Sequence, residues 1–200
     1  RLVGRITIDD IVDVIKDEAD QDYQLAAGIS QDIEADDSIL EHTKARLPWL
    51  VLALLGGFIS VKVLGLFEGA MLLHGNLFFF TPLIAAMAGN VGVQSSAIIV
   101  QGLANDSLSG TLFNRLIKEV SLSLLNGIIL ATILFLGSHF LLNVEIIIGV
   151  IVTTALISVI IIASLIGTFI PLLLNKFKID PALATGPFIT TSNDIFGILI

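Results

Sequence analysis

Of the 200 residues, 55% are hydrophobic, and the mean hydropathy of +0.96 is too high for a soluble domain of this size. The net charge is −8; residues 1–46 carry twelve acids and five bases, which disfavours nucleic acid and anionic lipid as partners of this arm. The chain has no cysteine, so disulfides and thiolate metal sites are excluded. The composition therefore predicts a membrane protein with an acidic N-terminal arm.

The arm itself predicts short soluble elements. Residues 5–8 (Arg-Ile-Thr-Ile) resemble a strand, and residues 9–15 the start of an amphipathic helix with acids at its N-terminus. A strand and a helix cannot bury a core alone, so we expect them to belong to a larger protein. Ser38 and Glu41 have capping-box spacing, which predicts a second helix from Ser38 to about Leu47 that enters the membrane at Pro48.

Five apolar segments follow, each near or above the roughly 20 residues that a spanning helix needs. They cover approximately residues 47–67, 78–103, 116–142, 144–174 and 181–200. Basic residues lie before the first segment, between the second and third, and between the fourth and fifth: Lys44, Arg46, Arg115, Lys118, Lys176 and Lys178. The segments predict an all-α integral protein of the inner membrane. By the positive-inside rule we expect its N-terminus to be cytoplasmic and its C-terminus to be outside.

The second segment holds the densest set of polar residues. At 100° per residue, Asn90, Gln94 and Gln101 fall within about 40° of one another. Gly89 and Gly92 belong to a stripe of small residues beside them. Two interpretations stay open: the amides join helices in a packed bundle, or they line a water-containing pore whose glycines free backbone carbonyls as ligands.

The last segment carries Asp194, which at about 1.5 Å of rise per helical residue lies roughly 20 Å in from Pro181, with no basic residue nearby in sequence. A carboxylate at that depth costs at least a few kcal/mol, so by default it marks a functional site. Spacings of three and four residues predict that it shares a face with Pro187, Thr190, Thr191 and Gly197. A protonated Asp194 bonded to a neighbouring helix, or acting in a proton relay, is the alternative.

These side chains favour a hard divalent cation as ligand. Oxygen donors without sulfur or clustered imidazoles indicate magnesium, calcium or manganese rather than zinc or copper. A single carboxylate is a poor site for removing water from Mg²⁺, so we expect a largely hydrated ion held through its waters. Two chains on a two-fold axis would supply two copies of Asp194.

Two motifs stand out in the apolar part of the chain. Residues 82–94 read as Pro, a run of small residues and then Gly-Asn-x-Gly-x-Gln, and residues 180–197 run from Asp-Pro-Ala to Asn-Asp-x-x-Gly. Together they resemble the membrane domain of the MgtE family of magnesium channels, and the resemblance covers nearly the whole chain.

The resemblance implies a homodimer of five-helix subunits, with a pore on the two-fold axis lined by the second and fifth spans. By motif position, Asp194 would hold the hydrated Mg²⁺. Other oxygen donors near the ion path would come from Gly89, Asn90, Thr190, Thr191 and Asp180. The pore lining would also include Gln94, Gln101, Gly92, Pro187 and Gly197.

The resemblance also divides the chain into three parts. Residues 1–29 would be the end of a cytoplasmic CBS domain, residues 30–47 an amphipathic plug helix, and residues 48–200 the transmembrane pore domain. Cytosolic Mg²⁺ would close the pore by neutralising facing acidic surfaces. The candidates for that regulatory site are Asp36, Asp37 and Glu41, together with Asp180; solvated acids without a ligand are the alternative.

We therefore expect a channel that conducts hydrated Mg²⁺ down its electrochemical gradient, and no enzyme activity. Its partners would be a second copy of the chain and membrane lipid, with no nucleic acid. One rival is a proton- or sodium-coupled transporter in which Asp194 is a protonation site. The other is a membrane-anchored sensor of divalent ions that transports nothing.

Overall fold

The structure, a computed structural model, describes residues 4–30, 32–108, 110–184 and 186–200. All secondary structure within these residues is helical, which confirms the predicted all-α class. In chain order the helices are α1 (Ile8–Ala26), α2 (Ile39–Gly65), α3 (Glu68–Leu73), α4 (Gly75–Phe78), α5 (Thr81–Ala104), α6 (Leu112–Phe140), α7 (Ile146–Lys176), a 3₁₀ helix (Pro181–Ala184) and α8 (Pro187–Leu199). The first three residues of the predicted CBS segment and Gln31 of the predicted plug segment lie outside the described residues.

The predicted strand over residues 5–8 is wrong, because Ile8 already begins α1. The Thr7 hydroxyl accepts a hydrogen bond from the Asp10 amide at 3.3 Å, and the Asp10 carboxylate accepts one from the Thr7 amide at 2.7 Å. This capping box favours a helix, whereas an isolated strand finds no partner strand among the described residues. Hydrogen bonds from Thr7 hold the pKa of the Asp10 carboxyl below its usual range. The larger effect comes from the Thr7 hydroxyl and the smaller one from the Thr7 amide, both of which donate to the carboxylate.

Helix α2 joins two segments that the sequence predicts as separate. The expected capping box is present, since the Ser38 hydroxyl accepts from the Glu41 amide at 3.4 Å and the Ser38 amide donates to the Glu41 carboxylate at 2.9 Å. The helix then continues through Pro48 into the first apolar segment. Pro48 costs one helical hydrogen bond, but a chain that enters lipid must satisfy its remaining backbone groups internally, which favours continuing the helix.

Among the described residues, four helical segments are long and apolar enough to cross a membrane: 39–65, 75–104, 112–140 and 146–176. The fifth apolar segment is not one helix. A 3₁₀ turn at its start is followed by Gly186, with φ of 62°, and by α8, which has 13 residues against the roughly 20 of a full span. A count of five spans is therefore not confirmed. Asp194 lies about 10 Å along α8 from Pro187, not about 20 Å into a continuous helix.

Helix α7 lies at the centre of the bundle, packed against α5 and α6, while α8 lies between α2 and α5. The buried cluster between α5 and α7 consists of Phe80, Ile84, Ala88, Val152, Val159 and Ala163. Glycines permit a close approach here, because a Cβ at Gly167 would overlap the carbonyl of Gly92. The large apolar side chains of α2 and α6 stay mostly exposed, as expected for surfaces that face lipid tails.

Candidate functional site

A groove of about 420 Å³ lies between α5 and α8 and contains most of the predicted polar residues. We call it the α5–α8 groove; its walls are formed by Ala85, Ala86, Gly89, Asn90, Val93, Gln94, Thr190 and Asp194. Helical spacing puts the first six on one face of α5 and the last two on one face of α8. The fold thus brings together two polar sets that are about 100 residues apart in the chain.

Gly89 determines how closely the two walls approach. A Cβ at this position would lie 3.3 Å from the Thr190 methyl carbon and 4.0 Å from Asp194 Oδ1. The Thr190 hydroxyl donates to the Gly186 carbonyl at 3.0 Å, which fixes the rotamer that turns the methyl group toward Gly89. The Asp194 carboxylate therefore lies close to a stretch of α5 without a side chain, at the border of the groove.

Asp194 has the surroundings of a cation-attracting group. Its side chain is half-buried, and in the part of the chain that the structure describes it forms no ion pair with a lysine or arginine. Asn90 and Gln94 across the groove are exposed, so their amide oxygens are free to accept from the water of a hydrated ion. The negative charge of Asp194 is thus open on the groove side.

An adjacent side of α8 faces α2 across a second space of about 330 Å³, the α2–α8 cleft. It is lined by Ala53, Gly56, Gly57, Ser60, Gly186, Pro187, Thr190, Thr191 and Asp194. Thr190 and Asp194 border both spaces, but Pro187 and Thr191 line only the cleft. The polar face predicted for α8 is therefore divided between two neighbours.

Besides Pro187, three more residues predicted to line the pore lie away from the groove. Gln101 is exposed, about two turns further along α5. Gly92 is buried, and a Cβ there would overlap the Asn193 amide. Gly197 is buried with its Cβ position 3.5 Å from the Ala85 Cα. The structure thus uses both glycines for helix packing.

The predicted regulatory acids of the arm make local contacts. Asp37 accepts from the Glu34 amide at 2.8 Å, Glu41 belongs to the Ser38 capping box, and Asp36 is exposed. The carboxylate of Asp37 therefore stabilises a turn, and that of Glu41 stabilises the start of α2.

Asp180 meets a different acid, one that the sequence analysis missed. Its Oδ1 accepts from the Ala182 amide at 2.8 Å, and it borders a small cleft of about 220 Å³ together with Asp22 of α1. The pKa of the Asp22 carboxyl is raised, mainly because the group is partly buried. The negative charges of Asp180 and Glu18 raise it further. Glu18 lies one turn before Asp22 on α1. In the sequence, this spacing of two like charges is the pattern that could have drawn attention to Asp22.

A set of buried polar atoms was also missed. The side chains of Ser96, Thr168 and Asn193 are at most 1% exposed, and their hydroxyl and amide atoms have no hydrogen-bond partner among the described residues. Asn193 lies over Gly92 at the contact of α5 with α8. Sequence patterns mark such residues as polar but do not show that the fold buries them.

The polar side chains of the groove are one carboxylate, one hydroxyl and two amides, and within the described residues no group of three or more His, Cys, Asp or Glu could hold a metal ion. A site with one carboxylate and two amides suits a cation that keeps its water shell. It is less suited to a cation that has lost its water. Four membrane-length helices with such a groove define a multi-pass membrane protein with a candidate cation site.

Comparison with known proteins agrees with this class. Residues 81–200 match the MgtE family, described as a divalent cation transporter, and since this is more than half of the sequence, the chain belongs to the MgtE family. It is 38% identical over 200 residues to the magnesium transporter MgtE of Bacillus subtilis, 37% over 201 residues to that of Enterococcus faecalis and 31% over 203 residues to that of Thermus thermophilus.

All of the chain is covered in these three comparisons, but it spans only 44–45% of the length of the relatives. The resemblance inferred from the two motifs is confirmed. The family is one of transporters rather than of enzymes, as the sequence predicts.

Proposed function

We propose that this chain forms the membrane pore of a magnesium transporter and that Mg²⁺ passes along the α5–α8 groove. The observation that carries the proposal is the half-buried Asp194, which faces Asn90 and Gln94 without a basic partner among the described residues. The names of the three relatives support Mg²⁺ as the transported ion.

A second copy of the chain completes the path in this proposal. The groove is open along one side, and its amides are exposed there. A two-fold axis along the opening would bring two copies of Asp194 to one pore, so that two negative charges face one divalent ion. In this arrangement the 3₁₀ helix and α8 together make the fifth crossing. The basic residues in the first turns of α2, near the start of α6 and at the end of α7 are cytoplasmic, and lipid surrounds the rest.

The ion crosses with most of its water shell. Mg²⁺ loses water reluctantly, and a groove with one carboxylate and two amides per chain can bind the outer surface of the hydrated ion. Gly89 and Thr190 are the further oxygen-bearing residues beside Asp194 in the groove, whereas Thr191 lies in the neighbouring α2–α8 cleft. A negative cell interior favours entry by about 2.3 kcal/mol per charge per 100 mV, which makes coupling to a second ion unnecessary for uptake.

Regulation by cytosolic Mg²⁺ belongs to the same proposal. Asp22 and Asp180 face each other where α1 meets the 3₁₀ helix, and like charges at this position repel until a divalent ion lies between them. The acids Asp36, Asp37 and Glu41 add negative charge to the same arm. The arm would act as the end of a CBS domain and a plug segment, with bound Mg²⁺ favouring the closed pore.

The test is Mg²⁺ uptake into liposomes that contain the chain, with protein incorporation matched. Asp194→Asn and Asp194→Ala are expected to reduce uptake sharply, since both remove the charge. Asp106→Asn is the control: Asp106 is exposed with φ of 47°, a conformation that Asn adopts readily. Uptake that survives both Asp194 variants contradicts the proposal, and uptake that occurs against a gradient with strong pH dependence indicates the coupled transporter instead.

A further inference from the structure

Helix α6 carries an acid within a membrane-length helix that the proposed ion path does not use. Glu119 is half-buried, and its Oε1 accepts a hydrogen bond from the Ser95 hydroxyl of α5 at 2.6 Å. Ser95 is only 6% exposed. An acid inside a membrane helix is costly and is usually retained for a function, so this contact requires an explanation.

The hydrogen bond joins two helices that otherwise barely touch. Helix α6 packs along α7, and α7 separates most of it from α5. Among the residues that the structure describes, the pair Ser95 and Glu119 is the only side-chain hydrogen bond between α5 and α6. Glu119 therefore reaches past the main packing interface to bind the helix that forms one wall of the groove.

Ser95 is directly connected to that wall. Gln94, the preceding residue, lines the groove, and Asn90 lies one turn earlier on the same face. If α5 rotated by about 20°, side-chain tips at a radius of about 6 Å from the helix axis would move by about 2 Å. Such a shift is enough to break a hydrogen bond to the water shell of an ion.

We propose that Glu119 is a positioning residue: by accepting from Ser95 it fixes the rotation of α5 that points Asn90 and Gln94 into the groove. The role needs a hydrogen-bond acceptor at residue 119 rather than a negative charge. The inference rests on the proposed function for its effect on transport, but the rotation of α5 can be measured without transport.

Three substitutions separate the acceptor from the charge. Glu119→Gln keeps an acceptor oxygen, Glu119→Leu removes it, and Ser95→Ala removes the donor. We expect Glu119→Gln to behave like the unchanged chain in liposome uptake. Glu119→Leu and Ser95→Ala are each expected to raise the Mg²⁺ concentration for half-maximal uptake by about tenfold, equivalent to 1.4 kcal/mol. The double variant Ser95→Ala with Glu119→Leu is expected to be no worse than the poorer single variant.

A matched control lies on the same helix. The Ser123 hydroxyl donates to the Ser164 hydroxyl at 2.6 Å and joins α6 to α7 instead of α5. Ser123→Ala is expected to lower thermal stability without changing the half-maximal Mg²⁺ concentration. If Glu119→Leu and Ser95→Ala behave like this control, Glu119 is only structural and the proposal is wrong. If Glu119→Gln is as impaired as Glu119→Leu, the charge is what matters and the proposal is wrong as well.

Because the chain has no cysteine, the rotation of α5 can be followed directly. A cysteine introduced as Gln94→Cys, in the full chain in nanodiscs, is expected to react with a charged thiol reagent several-fold more slowly when Glu119→Leu is added. A cysteine introduced as Ser107→Cys, in the exposed loop after α5, serves as the reference rate. An unchanged ratio of the two rates overturns the positioning role whether or not Mg²⁺ is transported. Failure of the Asp194 test with an altered ratio overturns only the proposed function.

Discussion

The methyl group of Thr191 on α8 occupies the position that a Cβ would take at Gly56 on α2. Gly56 is buried, whereas the next residue, Gly57, is exposed and has open space at its Cβ position. The two neighbouring glycines thus differ in one respect, which is contact with α8. Since α8 carries Asp194, the approach of α2 at Gly56 helps to set where that carboxylate lies.

Gly56→Ala is expected to destabilise the chain by about 1–3 kcal/mol, because the added methyl group overpacks the contact with Thr191. Thermal unfolding in nanodiscs measures the effect. The same substitution at Gly57 meets nothing and should be neutral or slightly stabilising, since Ala favours a helix by about 0.5–1 kcal/mol over Gly.

Thr191→Ser removes the methyl group that causes the overlap, so it is expected to rescue Gly56→Ala in the double variant. An equal effect of alanine at residues 56 and 57, or no rescue by Thr191→Ser, would contradict the close contact between α2 and α8.

Gln94→Met is expected to weaken Mg²⁺ uptake, whereas Gln101→Met is expected to leave it unchanged. Only Gln94 lines the α5–α8 groove, and losing one hydrogen bond to the shell of a charged ion costs about 1.5 kcal/mol, or about tenfold in affinity. The measurement is uptake at limiting Mg²⁺. Equal losses for the two variants would favour the uninterrupted amide face that the sequence alone predicts.

Asp22→Asn is expected to stabilise the chain at neutral pH. Burial and the negative charges of Asp180 and Glu18 raise the pKa of the Asp22 carboxyl in the folded chain, so the folded state binds this proton more tightly than the unfolded state. Stability is therefore lost as pH rises from the usual aspartate range through the raised pKa.

The amide variant avoids that loss, and its advantage should disappear below about pH 4, where the wild-type carboxyl is protonated in both states. The melting temperature as a function of pH tests this expectation. Asp20→Asn on the same helix controls for the change in net charge. An advantage that grows on acidification would show that the repulsion between Asp22 and Asp180 is not its source.

The helices could be predicted from the sequence where local physics decides them. The Ser38 and Glu41 capping box and four apolar segments depend on short-range bonding and on composition, and the structure contains them. The break before α8 was missed because the apolar composition continues through Gly186, whose positive φ interrupts the helix. The continuity of α2 through Pro48 was missed because helix-ending signals are weak compared with the need for internal hydrogen bonds in lipid.

Periodicity predicts which side chains share a face but not which neighbour covers that face. Asn90, Gln94 and Asp194 could therefore be selected from sequence, and the structure places them in one groove. The family resemblance implies that Gly92 and Thr191 lie near the ion path, and that stays a prediction; what the sequence did not indicate is that they contact Asn193 and Gly56. The bond between Glu119 and Ser95 links positions 24 residues apart on different helices, and no local pattern indicates it.

Asn193→Leu is expected to raise the thermal stability of the chain. Asn193 is fully buried, its Oδ1 and Nδ2 have no partner among the described residues, and leucine has the same branched side-chain skeleton without polar atoms. An unpaired buried polar group costs about 1–3 kcal/mol, so removing it should recover part of that amount. Asn76→Leu, at an exposed position of α4, controls for added apolar surface. A lower melting temperature for Asn193→Leu would show instead that the amide has a partner, such as a buried water shared with Ser96 or Thr168.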